Sequence, residues 1–426
     1  MDNRKYTKAI FILTAVFHNI AFHEYGLDCL SEHGYEVEVW IVGGYDKRTK
    51  WDVYDKDCDL CKVVHVGKFC KYEQMVEENS KDTIFILATL TDRALLYPIC
   101  RYDCAYFVMG NRVKIPSDPS FQYDRSVKET FSEKVQDWLQ RYSGRMLQFP
   151  YIWVKKTLIG RENRSYIASH TEDLTDSCRP KAVFVTNEVA KNAMISAGQK
   201  VVEKCNVIYS NSRAYSDYLD EEEKGGDISE DFILCANSGL GFYGVGVYKC
   251  YTVEPIYQPE ENAKYLKQIE TMLDRLEDHY GIPAVIANHP RCDLRGYDYG
   301  GRQIINGKTC ELSKKCKVFV TAITSAIAYP VFYNKDILFF YNDCIKNTST
   351  SWGSGYVPLM KTLGLTGLNL DEEKMISRPW EYVTKLDPAI REKYLEEYHY
   401  ERGRINKRFG EVLYDAAEAV QKEQMI

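Results

Sequence analysis

The stretch Ala9–Phe17, AIFILTAVF, followed by HEYGLDCLSEHG (23–34) and VEVWIVGG (37–44), decides the fold. Two apolar runs of strand length flank a segment of helical character, so the chain opens as a βαβ unit. Further apolar runs lie at TIFILAT (83–89), CAYFVMG (104–110), KAVFVT (181–186) and CNVIYS (205–210), with polar or helical sequence between them. Such alternation predicts a parallel, doubly wound sheet. The pattern restarts at FILCAN (232–237), passes through a helix AKYLKQIETMLDRLEDHYG (263–281), and continues with PAVIAN (283–288), KVFVTA (317–322) and DILFFY (336–341). Helices are expected from about Lys308 and from Thr324.

At 426 residues the chain exceeds what one core usually holds, and two domains are expected. The acidic run LDEEEKGGDISED (219–231) reads as a linker. The expected architecture is therefore α/β, with two Rossmann-like doubly wound domains, 1–230 and 231–386, facing each other across a cleft. The tail, 387–426, is expected as one long charged helix from about Pro388 that packs back on the first domain. Between 112 and 161 the pattern changes to SVKETFSEKVQDWLQRYSGRMLQF and PYIWVKKTLIGR, which reads as an inserted helical pair. Packing over the sheet is the favoured role for its mixed aromatic and basic faces. Peripheral contact with an anionic membrane is the alternative.

A formal charge of −6 argues against nucleic acid as the main partner, which usually requires a basic footprint. Ala9–Phe17 falls short of the ~20 residues that span a bilayer, and no later run reaches that length. The 14 Cys are irregularly spaced and follow no signal-peptide pattern, so a reducing cytosol with Cys as small core residues is expected. Cys58-Asp-Leu-Cys61 has metal-like spacing, but no second knuckle accompanies it, and no metal is expected.

Gly301–Thr309, GRQIINGKT, imitates a nucleotide-triphosphate loop. Five residues separate Gly301 from Gly307-Lys308-Thr309 where a P-loop has four, and the preceding CDLRGYDYG is no buried strand. A second decoy, Gly239-Leu-Gly241-Phe-Tyr-Gly244, fits the dinucleotide pattern. The following VGVYKCYTV alternates like a strand, so no helix N-terminus is ready for a pyrophosphate, and neither NAD nor FAD is expected. A flexible Gly loop that closes on a ligand is the better reading.

Three clusters do suggest an anion site. His289-Pro290-Arg291 follows the strand PAVIAN, at the end where open α/β sheets bind ligands. Lys308-Thr309 opens one helix and Thr324-Ser325 another, each offering backbone N–H groups. Individually these are ordinary: a His after a strand is more often structural, and Thr-Ser at a helix start is usually a cap. Their order is more informative, and convergence on one anion is expected.

The segments VIANHPR (285–291), GRQIINGKTCEL (301–312) and VFVTAITSAIAYPVFYNKDILFF (318–340) resemble the donor-binding domain of bacterial GT-B glycosyltransferases of surface-polysaccharide clusters. His-Pro and Ser/Thr motifs of this kind occur in sialyl- and Kdo-type transferases that use CMP-activated sugars. A looser match covers CNVIYSNSRAYSDYLDEEE (205–223). The resemblance implies an inverting, metal-independent, cofactor-free transferase acting on a glycan or lipid-linked glycan at the inner face of a bacterial membrane. His289 would contact the donor phosphate or protonate the leaving CMP, Thr324 and Ser325 would bind that phosphate, and Lys308 and Thr309 would lie near the nucleotide. Pro290, Arg291, Asn237, Ser238 and Gly239 would complete the donor pocket.

One departure stands out. The family places an acidic residue at the end of the first strand of the second domain, where this chain has Cys235-Ala236-Asn237-Ser238, and Asn is no general base. Glu254 is the favoured replacement, with His18, His23 and Glu24 as alternatives. A UDP- or CDP-linked donor, or a catalytically silent GT-B-like partner, are the competing readings.

Overall fold

The computed structural model describes residues 5–14, 17, 19–42, 58–88, 93–110, 178–196, 200–225, 230–236, 259–289, 294, 296–322, 324–343, 351–401, 403 and 406–423. The inserted pair expected over 112–161 and the Gly loop 239–244 lie outside these residues.

The first sheet has seven parallel strands: β1 (Lys8–Leu13), β2 (Glu36–Val42), β3 (Lys62–Val66), β4 (Thr83–Leu87), β5 (Ala105–Met109), β6 (Ala182–Val185) and β7 (Val207–Tyr209). They run in the order β3-β2-β1-β4-β5-β6-β7. Around them lie α1 (Asn19–Glu24), α2 (Leu27–Glu32), α3 (Phe69–Glu78), α4 (Arg93–Arg101) and α5 (Glu188–Ser196). Continuous apolar runs suit strands covered on both faces. Successive β1 side chains divide between two cores: Phe11 and Leu13 meet Leu27, Leu30 and Phe107, while Ile10 and Ile12 meet Trp40, Phe69 and Tyr72.

Helix α6 (Arg213–Lys224) leads to the second sheet, of six parallel strands: β8 (Ile233–Ala236), β9 (Ala284–Asn288), β10 (Gln303–Asn306), β11 (Val318–Thr321), β12 (Asp336–Tyr341) and β13 (Gly367–Asn369). Their order is β10-β9-β8-β11-β12-β13. The associated helices are α7 (Pro259–Tyr280), α8 (Thr309–Lys315), α9 (Ala328–Phe332), α10 (Ser351–Leu363) and α11 (Glu373–Ser377). In each sheet the chain turns back at its first strand, so the switch points are β1/β4 and β8/β11. The architecture is a two-sheet α/β fold of the GT-B kind.

Several expectations need correction. The run 219–231 is helical to Lys224, as the end of α6, whose Ala214 joins the second domain's core. The tail is two helices, α12 (Pro388–Tyr398) and α13 (Phe409–Glu423). Tyr394 and Leu395 of α12 pack in the second domain, whereas Phe409, Leu413 and Ala417 of α13 pack against Phe11 and Leu27 of the first. Gln421 then grips the start of the chain, accepting from the backbone N–H groups of Lys5 and Tyr6, each at 3.0 Å. Cys100 and Cys178 form a disulfide, where free thiols were expected, while Cys104, Cys235 and Cys316 are buried. Among the described residues no helix is long and apolar enough to cross a membrane.

Candidate active site

Parallel strands align their carboxyl ends, and the second sheet gathers polar residues there, Asn288 and Thr321 buried and Asn306 exposed. Asn288 ends β9 and Asn306 ends β10; they are register partners, and the Asn288 amide donates to Asn306 Oδ1 at 2.9 Å. The Thr321 hydroxyl, at the end of β11, lies 2.9 Å from the Ala322 carbonyl and 3.3 Å from the Ala236 carbonyl and donates its one proton to either, the second contact reaching β8 across the switch point. These bonds make the floor of the crevice self-satisfied and rigid.

His289 stands half-buried immediately above this floor, beside the switch point. Thr324 is buried and caps a 3₁₀ turn over Ser325–Ile327, its hydroxyl accepting from Ala326 N–H at 3.2 Å. Ser325 is exposed at the same turn. Thr309 is the first residue of α8, and Lys308 precedes it with no side-chain cap. The Lys308 ammonium reaches Glu311 at 3.3 Å, and Lys315 and Lys308 together hold the Glu311 carboxyl below its ordinary range.

The structure thus puts His289, Lys308, Thr309, Thr324 and Ser325 along one edge. Lys308 follows β10 and Ser325 follows β11, three strand positions away, or roughly 14 Å at ordinary inter-strand spacing. Asn237, Ser238, Gly239, Glu254, Pro290, Arg291 and His18 lie outside the described residues. At the far side, Asn369 donates to Asp343 Oδ1 at 3.1 Å and Asp343 N–H to Asp371 at 3.0 Å, so the β12/β13 end closes on itself.

Across the domain junction, the candidate bases separate. Glu24 is ion-paired with Arg213 at the start of α6. His23 Nδ1 lies 2.8 Å from Asp28 Oδ2, a pairing that orients the imidazole while its ring stays exposed. Sequence reasoning missed Arg213 and Asp217. Asp217 accepts from the Tyr329 hydroxyl at 2.5 Å; burial raises its carboxyl, opposed by that hydrogen bond and by Arg213. The signal was present as an Arg-x-x-x-Asp pair at helical spacing inside the segment read as a loose match.

By sequence the chain matches no protein-family model and no characterised protein. By structure it is similar to two variants of the wall teichoic acid polymerase TagF. Both superpose over 100% of this chain with a TM-score of 0.50, at 13% and 12% identity, covering 91% and 92% of those chains. UDP-GlcNAc 2-epimerase of Methanocaldococcus jannaschii, in complex with UDP-GlcNAc and UDP, gives 0.44 at 10% identity over 96% of this chain and 99% of that one. At these identities the likeness to the TagF variants shows the fold alone, the two-sheet GT-B architecture of the described residues.

Proposed function

We propose that the protein is a GT-B glycosyltransferase that moves a sugar from a nucleotide-activated donor onto a bacterial cell-surface polymer. The observation that carries this reading is the row of His289, Thr324 and Ser325 along the carboxyl edge of the second sheet, next to its switch point. Transfer breaks the bond between the anomeric carbon and the phosphate oxygen and leaves negative charge on that phosphate. Fixed donors at a strand edge suit such a charge because they need no reorganisation as it develops. His289 supplies an imidazole at the phosphate; Thr324 and Ser325 supply hydroxyls and the N–H groups of their turn. The nucleotide lies toward β9 and β10, with Lys308 and Thr309 at its outer end.

The donor in this proposal is a CMP-linked acidic sugar, on the resemblance of 285–291 and 318–340 to CMP-sugar transferases. A second reading, a UDP- or CDP-linked donor, is favoured by the whole-chain likeness to a wall teichoic acid polymerase, which also points to a cell-wall polymer as product. Glu254 is proposed as the base that takes the acceptor proton. His23, oriented by Asp28, is its rival, since Glu24 is committed to Arg213.

Calorimetric titration of the protein and of His289→Ala with CMP, CDP, UMP and UDP tests the proposal. Tightest binding of CMP, weakened by the substitution, supports the CMP reading. Preference for CDP, UMP or UDP transfers support to the second reading. Absence of binding by all four overturns the transferase assignment.

A further inference from the structure

The first two turns of α6 spend their polar side chains on other elements. Ser212, the cap, meets His399 at 2.8 Å. Ser216 accepts from Phe409 N–H at 2.9 Å. Arg213 pairs with Glu24 of α1, and Asp217, one turn on, holds the Tyr329 hydroxyl at 2.5 Å. Tyr329 sits four residues after Ser325, on α9, which follows directly on the 3₁₀ turn that Thr324 caps. One guanidinium therefore pairs with Glu24 of the first domain and also acts, through its charge, on the carboxyl of Asp217 one helical turn on. The Glu24 side chain is 8% exposed, so its charge is little screened by water.

We infer that Arg213 is a positioning residue that couples the first domain to the Thr324–Ser325 turn. Its charge is shared: attraction to Glu24 draws it toward α1 and leaves Asp217 to the Tyr329 hydroxyl. When Glu24 is neutral or withdrawn, the guanidinium moves onto Asp217, its helical neighbour, and competes with Tyr329 for the same oxygens. Tyr329 then loses its anchor, and the turn carrying Thr324 and Ser325 loosens. Separation of the domains at this junction is thereby transmitted to the rim of the second sheet. The inference does not depend on the identity of any donor.

Amide hydrogen exchange on the ligand-free full chain tests it, read at Ala326 and Ile327, whose N–H groups bond to Thr324. Glu24→Gln is expected to speed exchange there about fivefold or more, whereas Arg213→Gln, which removes the competing guanidinium and leaves Asp217 to Tyr329, should keep near wild-type rates, as should the β8 and β11 amides. Arg213→Lys should retain most of the protection, because an ammonium still pairs with Glu24. The double variant should return to near wild-type rates, because no guanidinium remains to take Asp217 from Tyr329. Unchanged rates at Ala326 and Ile327 in Glu24→Gln overturn the inference, as does fast exchange that persists in the double variant. If Arg213→Gln does not fold, Glu24→Gln decides alone.

Discussion

Ser212 and His399 are joined twice. The backbone N–H of Ser212 donates to the His399 carbonyl at 2.7 Å, and the Ser212 hydroxyl lies 2.8 Å from His399 Nδ1. Both residues are fully buried where β7 passes into α6 and α12 ends. Asn187 adds to the same junction, donating to the carbonyls of Glu396 and Glu397 at 2.7 Å each, so the open end of α12 is satisfied from the first domain.

This burial makes the junction acid-sensitive. Desolvation pushes the His399 imidazole down to about 3, so it is neutral in the folded chain and charges far more readily when unfolded. Protons then favour the unfolded state: stability is complete above the ordinary His range near pH 6.5, falls as the pH drops through it, and levels off below about 3. Urea unfolding at pH 7 and pH 5 should show wild type losing roughly 1–2 kcal/mol more than His399→Gln over that interval. Equal losses in the two proteins would refute the assignment.

Glu38 makes the opposite case within the first sheet. Its carboxylate is buried, with Lys62 at 2.7 Å, Lys8 at 2.9 Å and the Trp40 indole N–H at 2.9 Å. Burial works to raise it, but bonds to Lys62, Trp40 and Lys8 prevail and hold it down at about 2. Its contribution is therefore present above the usual Glu range and lost as pH falls toward 2. Glu38→Gln should cost about 3 kcal/mol at pH 7, since Lys8 is left largely buried beside a neutral amide. Trp40 fluorescence follows the unfolding directly; a change below 1 kcal/mol would show the cluster to be dispensable.

The central strands were legible because each is a continuous apolar run buried on both faces, as in IFIL of β1 and YFVM of β5. What escaped were edge and near-edge strands: KVVHV of β3, QIIN of β10 and GLN of β13, which pair on one side only and carry polar residues outward. QIIN lies inside the stretch that imitates a P-loop, so GKT follows an edge strand. The switch-point residues were legible from strand ends alone. Their separation was not, because strand order is a long-range property that no local pattern records. Arg213 and Asp217 were hidden for a similar reason: their partners, Glu24 and Tyr329, are 189 and 112 positions away in sequence, the first being 213 − 24.

The return of α13 to the first domain depends on a close backbone approach. Gly26 has φ +65°, and a Cβ there would meet the Gly410 Cα at 2.5 Å. Neither backbone can yield without shifting α13 against α2. Gly26→Ala should therefore cost roughly 3 kcal/mol, combining left-handed strain with overpacking. Gly281→Ala is the control: it has φ +67° but open space around it, so only the strain remains. Equal losses measured by urea unfolding would show that the contact with α13 contributes nothing.

Thr324 and Ser325 stand side by side yet should respond differently to alanine. Thr324 is buried and its hydroxyl caps the turn through Ala326 N–H, so Thr324→Ala should lower stability by about 1 kcal/mol whatever the protein binds. Ser325 is exposed at the strand edge, so Ser325→Ala should leave the unfolding midpoint within about 0.5 kcal/mol of wild type. If the donor phosphate lies at this turn, that substitution should weaken nucleotide binding by about tenfold, the cost of one charge-assisted hydrogen bond. Calorimetry and urea unfolding on the same two variants separate the roles. Loss of stability in Thr324→Ala with intact binding in Ser325→Ala would make this turn purely structural and move the phosphate toward His289.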